Sequence, residues 1–401
     1  MNRSHALPRS AASLLALAFP IHAQDPPAHR GSLDGIAGEI SQGDAISSSQ
    51  GPRILPDAWR NAARHSLTER LHLKFALSCD ALAIGTLTNG TRSAASSDTA
   101  LSVRWQALPE SSRWPLALAI RIRNRHAFTD RPPSAIASGQ NLLWRPVDGF
   151  NDNGFEIPEL FLEQHLLQKR LLIRWGQMAA DELLDDHPLR SAKQSFLNQA
   201  FSSSPATGFP GTGLGLAARW LFQQSADLTI TASNVQSSNV SDDGRWLLRS
   251  EALFQGLQAG WNFHHGQRLQ ALAWRSDGLP GESSAADRGL SLTWSLTNPT
   301  SDTRWFARAA FAEGGTAAAT HFAALGTSFT IRSRDRLGFA ISLGRNNLSD
   351  TSWQSAAESF YRWQLTKDVQ ITAFSQLITG HHVARNNGWL ATAGLRLGCR
   401  F

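Results

Sequence analysis

The chain has a single Tyr in 401 residues, only two Cys and two Met. Beyond its first two dozen residues it nowhere offers 18 consecutive apolar residues, so no segment can cross a bilayer as a helix. Cys79 and Cys399 are too few for a disulfide framework. Catalytic signatures are also missing: there is no G-x-S-x-G, no H-E-x-x-H and no Cys/His metal spacing. The Gly211 to Gly215 run lacks dinucleotide-binding spacing. His264-His265 and His381-His382 are adjacent pairs, which in a strand point to opposite faces and share no metal. No enzyme, cofactor or metal is therefore expected. The formal charge of +6 falls to about +4 without Arg3 and Arg9, too mild to point to a nucleic-acid partner. A chain of this kind in a membrane must be a closed barrel, the one arrangement that satisfies every backbone polar group without long apolar runs.

What is present is a period of two. Counting back from Phe401, Cys399, Leu397, Leu395, Ala393 and Ala391 alternate with Arg400, Gly398, Arg396 and Gly394. This ending resembles the terminal strand of bacterial outer-membrane barrels, whose last aromatic residue implies recognition by the barrel assembly machinery. At the other end, Arg3 and Arg9, the apolar run Ala11 to Phe19 and the small residue Ala23 form a basic, apolar and small-residue series. That is the order of a secretory leader, expected over 1–23 with cleavage after Ala23. Residues 24–55 are aperiodic and rich in Gly, Ser, Ala and Pro, and are expected as a flexible arm. Residues 56–70 place Trp59, Ala63 and Leu67 four apart behind Asp57 and predict a short periplasmic helix.

From Leu71 onward, alternating segments of about ten residues have the length of tilted membrane strands. They fall at 71–87, 99–108, 114–126, 158–166, 170–178, 213–222, 226–235, 252–263, 268–276, 289–297, 303–311, 321–332, 336–345, 358–366, 368–378 and 389–401. The expected fold is thus all-β, a transmembrane antiparallel barrel of about 16 strands over 71–401, large enough for an aqueous channel. The first and last strands of such a barrel become neighbours, so Cys79 and Cys399 either bridge them or remain two free thiols. Trp is plentiful, with 14 copies, and suits the membrane boundary. The long connections, 127–157 and 179–212, are expected to fold inward and constrict the channel.

Further stretches resemble the carbohydrate-selective porin family of the OprB type. They are Glu358-Ser359-Phe360-Tyr361-Arg362-Trp363-Gln364-Leu365-Thr366, the Leu160-Phe161-Leu162-Glu163-Gln164 strand, the LLIRWG run ending at Gly176, and Phe196-Leu197-Asn198-Gln199-Ala200-Phe201. The resemblance implies passive diffusion of small sugars across the outer membrane by a monomer or homotrimer embedded in outer-membrane lipid. Guanidinium groups and carboxylates exchange hydrogen bonds with sugar hydroxyls, and aromatic faces stack on the ring. The candidate constriction residues are Arg121, Arg123, Arg125, Trp144, Glu163, Arg174, Asp181, Glu182 and Arg362. Three arginines on one face of a strand would be costly in a dry core but cost little in a wet lumen. Two alternatives stand beside this reading: a general or anion-preferring porin, and a sugar-binding β-protein that transports nothing.

Overall fold

A computed structural model describes residues 35–48, 65–88, 92–223, 225–235, 252–278, 285–332, 334–346, 353–380 and 388–401. The expected leader, most of the expected arm and His381-His382 lie outside these residues. Sixteen strands form one closed antiparallel barrel. They are β1 (Leu73–Thr86), β2 (Ser93–Leu108), β3 (Leu116–Ala127), β4 (Gly154–Leu166), β5 (Leu171–Ala179), β6 (Thr212–Gln223), β7 (Ala226–Asn234) and β8 (Leu253–Asn262). The second half comprises β9 (Gln267–Ser276), β10 (Asp287–Asn298), β11 (Thr303–Ala312), β12 (His321–Thr330), β13 (Arg336–Arg345), β14 (Gln354–Gln364), β15 (Val369–Gly380) and β16 (Trp389–Arg400). Each expected segment holds one of them. Strands β2, β4 and β14 start earlier than the alternation suggested: Ser93–Ser97 and Ser355–Ala357 are small residues rather than apolar against polar ones, and Gly154–Ile157 belongs to β4 and not to the connection expected over 127–157.

The barrel closes where β1 pairs with β16. Phe401 donates to and accepts from Leu77, at 2.9 and 3.0 Å, so the chain's last residue belongs to the seam. Two residues along, Cys79 lies directly opposite Cys399; both thiols are free. By the alternation of antiparallel pairs, this is a site where both hydrogen bonds are exchanged, the wider of the two spacings.

Short turns join the strands at one end and long loops at the other. The outer face carries an apolar band, with Leu216, Ile230, Leu257, Leu290, Leu292, Ile341 and Leu395 exposed. Aromatic residues flank it: Trp105, Trp220, Trp261 and Trp363 toward the short-turn end, and Phe128, Phe155, Phe311 and Trp389 toward the long-loop end. This band with two girdles matches a hydrocarbon layer between two interfaces. A soluble monomer does not tolerate so continuous an apolar surface.

The lumen is filled differently in its two halves. Both long loops fold inward, and Trp144, Val147, Phe150, Phe196, Leu197 and Phe201 pack against inward Phe306, Phe322, Phe360 and Phe374. That packing fills the lumen beside β11–β15 with aromatic and aliphatic side chains. Of the helix expected over 56–70, residues 56–64 lie outside the described residues; residues 65–71 are helical. The segment expected as an arm carries helix α1 (Ile36–Ser48), whose Ile36, Glu39 and Ile40 are buried against the inner wall. Gly176 in β5 has φ +137, and a Cβ there would lie 2.5 Å from the Leu160 carbonyl, so glycine lets β5 press onto β4 beside Phe161.

Candidate functional site

The inner faces of β1–β5 carry the charges that alternation assigned to the lumen, and the register sets them side by side. In β3, Arg121 lies opposite Glu159 of β4 and Ser102 of β2. Its Nη1 is 3.0 Å from Glu159 Oε1, and its Nη2 is 3.6 Å from Glu39 Oε2 of α1. Arg123 makes a two-pronged contact with Asp98, with Nε 2.8 Å from Oδ1. Arg125 pairs with Glu156 at 2.5 Å. Strand β4 bulges opposite Ile122, where Ile157 and Pro158 drop out of register and the missing Pro158 N–H costs no ladder bond.

Lower on the same wall, Arg174 Nε sits 2.8 Å from Glu163, and its Nη1 sits 2.9 Å from Glu182. Its guanidinium also lies 4.9 Å from the centre of the Phe161 ring. Arg104 reaches the other Glu163 oxygen at 3.2 Å. Glu182 accepts from the backbone N–H of Ile36 at 3.2 Å, tying the inward loop to the start of α1. Asp181 stands beside this group and pairs with Arg190 at 2.5 Å.

Glu39 is the keystone that the sequence did not signal. It accepts from Ser78 at 3.4 Å and Ser102 at 2.5 Å, and faces Lys193 of the inward loop at 3.5 Å. Burial alone would raise its carboxyl; Arg121 and Lys193 outweigh that and hold it below the usual carboxylate range. Lys193 in turn lies 3.5 Å from Asp98 and 3.7 Å from Asp80, which pairs with Arg400 at 2.8 Å. One charge network thus runs from β16 across β1 to β5 and latches both α1 and the loop. Its retained exposure is at the edges: the side chains of Arg123, His165 and Asp181 are 20, 27 and 35% exposed.

The structure gathers Arg121, Arg123, Arg125, Glu163, Arg174 and Glu182 on this wall, with Asp181 beside them. Two candidates lie elsewhere. Trp144 is 2% exposed and meets Phe322 edge-on, so it is a core residue of the loop cluster with no free ring face for a sugar. Arg362 stands on β14, two strands beyond β16, and donates to the Gln194 carbonyl at 2.9 Å. Other inward polar residues fasten the loop. Glu358 accepts from the Leu197 and Asn198 N–H groups at 2.7 and 2.8 Å, which joins two of the stretches that carried the family resemblance. Arg308 pairs with Asp185 at 2.9 Å, and Arg219 donates to the Leu183 carbonyl at 2.6 Å.

His187 is buried in the same loop, stacked on Phe306 with ring centres 4.1 Å apart. Its Nδ1 accepts from the Leu189 N–H at 3.3 Å, which leaves Nε2–H to donate to the Phe201 carbonyl at 3.1 Å. Burial, together with the nearby Arg308 and Arg190, holds the imidazole neutral, well below the usual value of 6.5. Among the described residues, no group of three His, Cys, Asp or Glu side chains is placed to hold a metal.

No protein-family model matches the chain, and no curated protein matches its sequence. Solved structures do. OprB of Pseudomonas putida at high pH aligns with a TM-score of 0.72 at 14% identity, over 85% of this chain and 97% of that one. The low-pH structure of the same protein gives 0.55 at 11% identity, over 88% and 100%. OmpF of Salmonella typhi, in complex with daunomycin, gives 0.57 at 10% identity, over 82% and 97%. At these identities the likeness establishes the fold, the barrel of the outer-membrane porins.

Proposed function

We propose that this chain is a non-enzymatic outer-membrane channel of the porin type, through which small polar solutes diffuse passively and sugars are preferred. In this orientation the short turns face the periplasm, the long loops face outward, and Phe401 addresses the assembly machinery. One observation carries the reading: a closed barrel of sixteen strands whose lumen is narrowed by α1 and the inward loop against a charge-paired wall. Paired guanidinium and carboxylate groups keep spare donors and acceptors at their edges while the net field stays small. This suits neutral, hydroxyl-rich solutes that must bind weakly and leave. Arg123 and Asp181, the exposed members, would meet the solute; Arg121, Arg125, Glu163, Arg174 and Glu182 would hold them in place. The stretches that resemble carbohydrate-selective porins support this choice, since they build both the wall and the loop fastening.

The test is liposome swelling with the refolded full chain. Monosaccharides should enter faster than zwitterionic amino acids of equal size. Entry ranked by size alone would leave a general porin, and no entry would leave a closed barrel.

A further inference from the structure

The β11–β14 wall has, near its short-turn end, arginines without matching carboxylates. Arg336 begins β13 and lies directly opposite Arg362 of β14. Arg304 of β11 lies opposite Ser328 of β12, and the Ser328 hydroxyl accepts from Arg336 Nη1 at 2.9 Å. All three arginines are on the inner face near the short-turn end. Among the described residues, Asp302 is the one carboxylate that pairs with any of them; it contacts Arg304 at 3.4 Å and also Arg336, and its side chain is 49% exposed. Among the described residues, Arg362 donates only to the Gln194 carbonyl. The Nε atoms of Arg304, Arg336 and Arg362 are all buried without a hydrogen-bond partner.

Three guanidinium groups facing one carboxylate leave about two positive charges uncompensated, and orphaned N–H groups deep in a wall are unfavourable unless something accepts from them. A flat fork of N–H donors matches the oxygens of a carboxylate or a phosphate, and not a hydroxyl alone. Ser328 and Thr330 add neutral hydroxyls beside it; both already contact Arg336, at 2.9 and 3.4 Å.

We propose that Arg304, Arg336 and Arg362 form an oxyanion site at the periplasmic mouth, taking the carboxylate or phosphate group of a small solute. The site is separate from the charge-paired wall, and its existence does not require that the pore conduct.

The test is equilibrium dialysis of the folded, detergent-solubilised full chain against two probes, inorganic phosphate and gluconate, at low salt. Saturable binding of either supports the site, and the preferred probe identifies phosphate or carboxylate as its natural partner. Arg362→Gln should weaken binding at least tenfold, and Arg362→Lys, which keeps the charge but loses the fork, should fall between. Arg304→Gln, at a partly exposed position, repeats the test in a variant whose fold is checked by heat-modifiable gel migration. Absence of saturable binding of both probes, or binding unchanged in both glutamine variants, overturns the proposal. Failure of sugar entry into liposomes would leave it standing.

Discussion

The β1–β5 wall and the β11–β14 wall use the same residue type, arginine, in opposite circumstances. On the first, Arg121, Arg123, Arg125 and Arg174 each touch a carboxylate, and the network reaches out to grip α1 and the inward loop. On the second, Arg308 pairs with Asp185, but nearer the short-turn end Arg304 and Arg336 share Asp302 and, among the described residues, Arg362 touches no carboxylate; the aromatic side chains of that side grip the same loop. The loop is therefore held by charge on the first flank, and on the second by aromatic packing together with the Arg308–Asp185 pair and the Glu358 contacts. A pore lined on one side by compensated charge and on the other by excess positive charge can treat a neutral sugar and an anion differently at different depths.

The contrast breaks most visibly when a matched arginine is removed. Arg121→Ala strands Glu159 and leaves Glu39 with Lys193 as its one cation, and losing one partner of a buried pair costs about 3–5 kcal/mol. Arg362→Gln strands no carboxylate and should cost about 1.5–3 kcal/mol at most, the worth of the charged hydrogen bond it gives up. Urea midpoints read by heat-modifiable migration compare the two; equal losses would dissolve the distinction between the walls.

The fastening on the apolar flank is tested by Glu358→Ala. The change orphans two buried N–H groups at Leu197 and Asn198, each worth roughly 1–3 kcal/mol. The loop should release, and liposomes should admit disaccharides faster than with the parent protein. Unchanged size exclusion would mean that aromatic packing alone holds the loop.

A smaller effect is expected from His187. Its folded value is depressed, so the unfolded or undocked state binds the proton first. The stability it contributes is fully present above the usual value of 6.5 and is lost as pH falls below that toward the folded value. Denaturant midpoints should drop between about pH 6.5 and pH 5, and His187→Gln should flatten that slope. Arg308 and Arg190 keep their charge over this range, so a slope that survives the substitution would point to other groups.

Most of the barrel was legible because a strand that faces lipid on one side and a lumen on the other must alternate, and alternation shows in the residue list. The inward Arg, Glu and Asp positions follow from the same parity. Parity says nothing about loops. Trp144 looked like a stacking platform because it stands among acidic loop residues, yet its environment is set by Phe322 on a strand far along the chain. Glu39 was hidden in a Gly- and Ser-rich segment, where the spacing of Ile36 and Ile40, four apart, was the one helical sign. The difference between the two walls was also invisible, since it depends on which carboxylates the register and α1 bring to each arginine.

The most direct measurement compares swelling rates for a monosaccharide and a size-matched amino acid in the parent protein and in the double variant Asp98→Asn with Arg123→Gln. That exchange removes Arg123, the exposed arginine of the matched wall, together with its buried partner Asp98, while Lys193 keeps Glu39 and Asp80. The account expects the sugar to lose its advantage and entry to follow size alone in an intact barrel. An undiminished sugar advantage would contradict it and move solute selection off the β1–β5 wall.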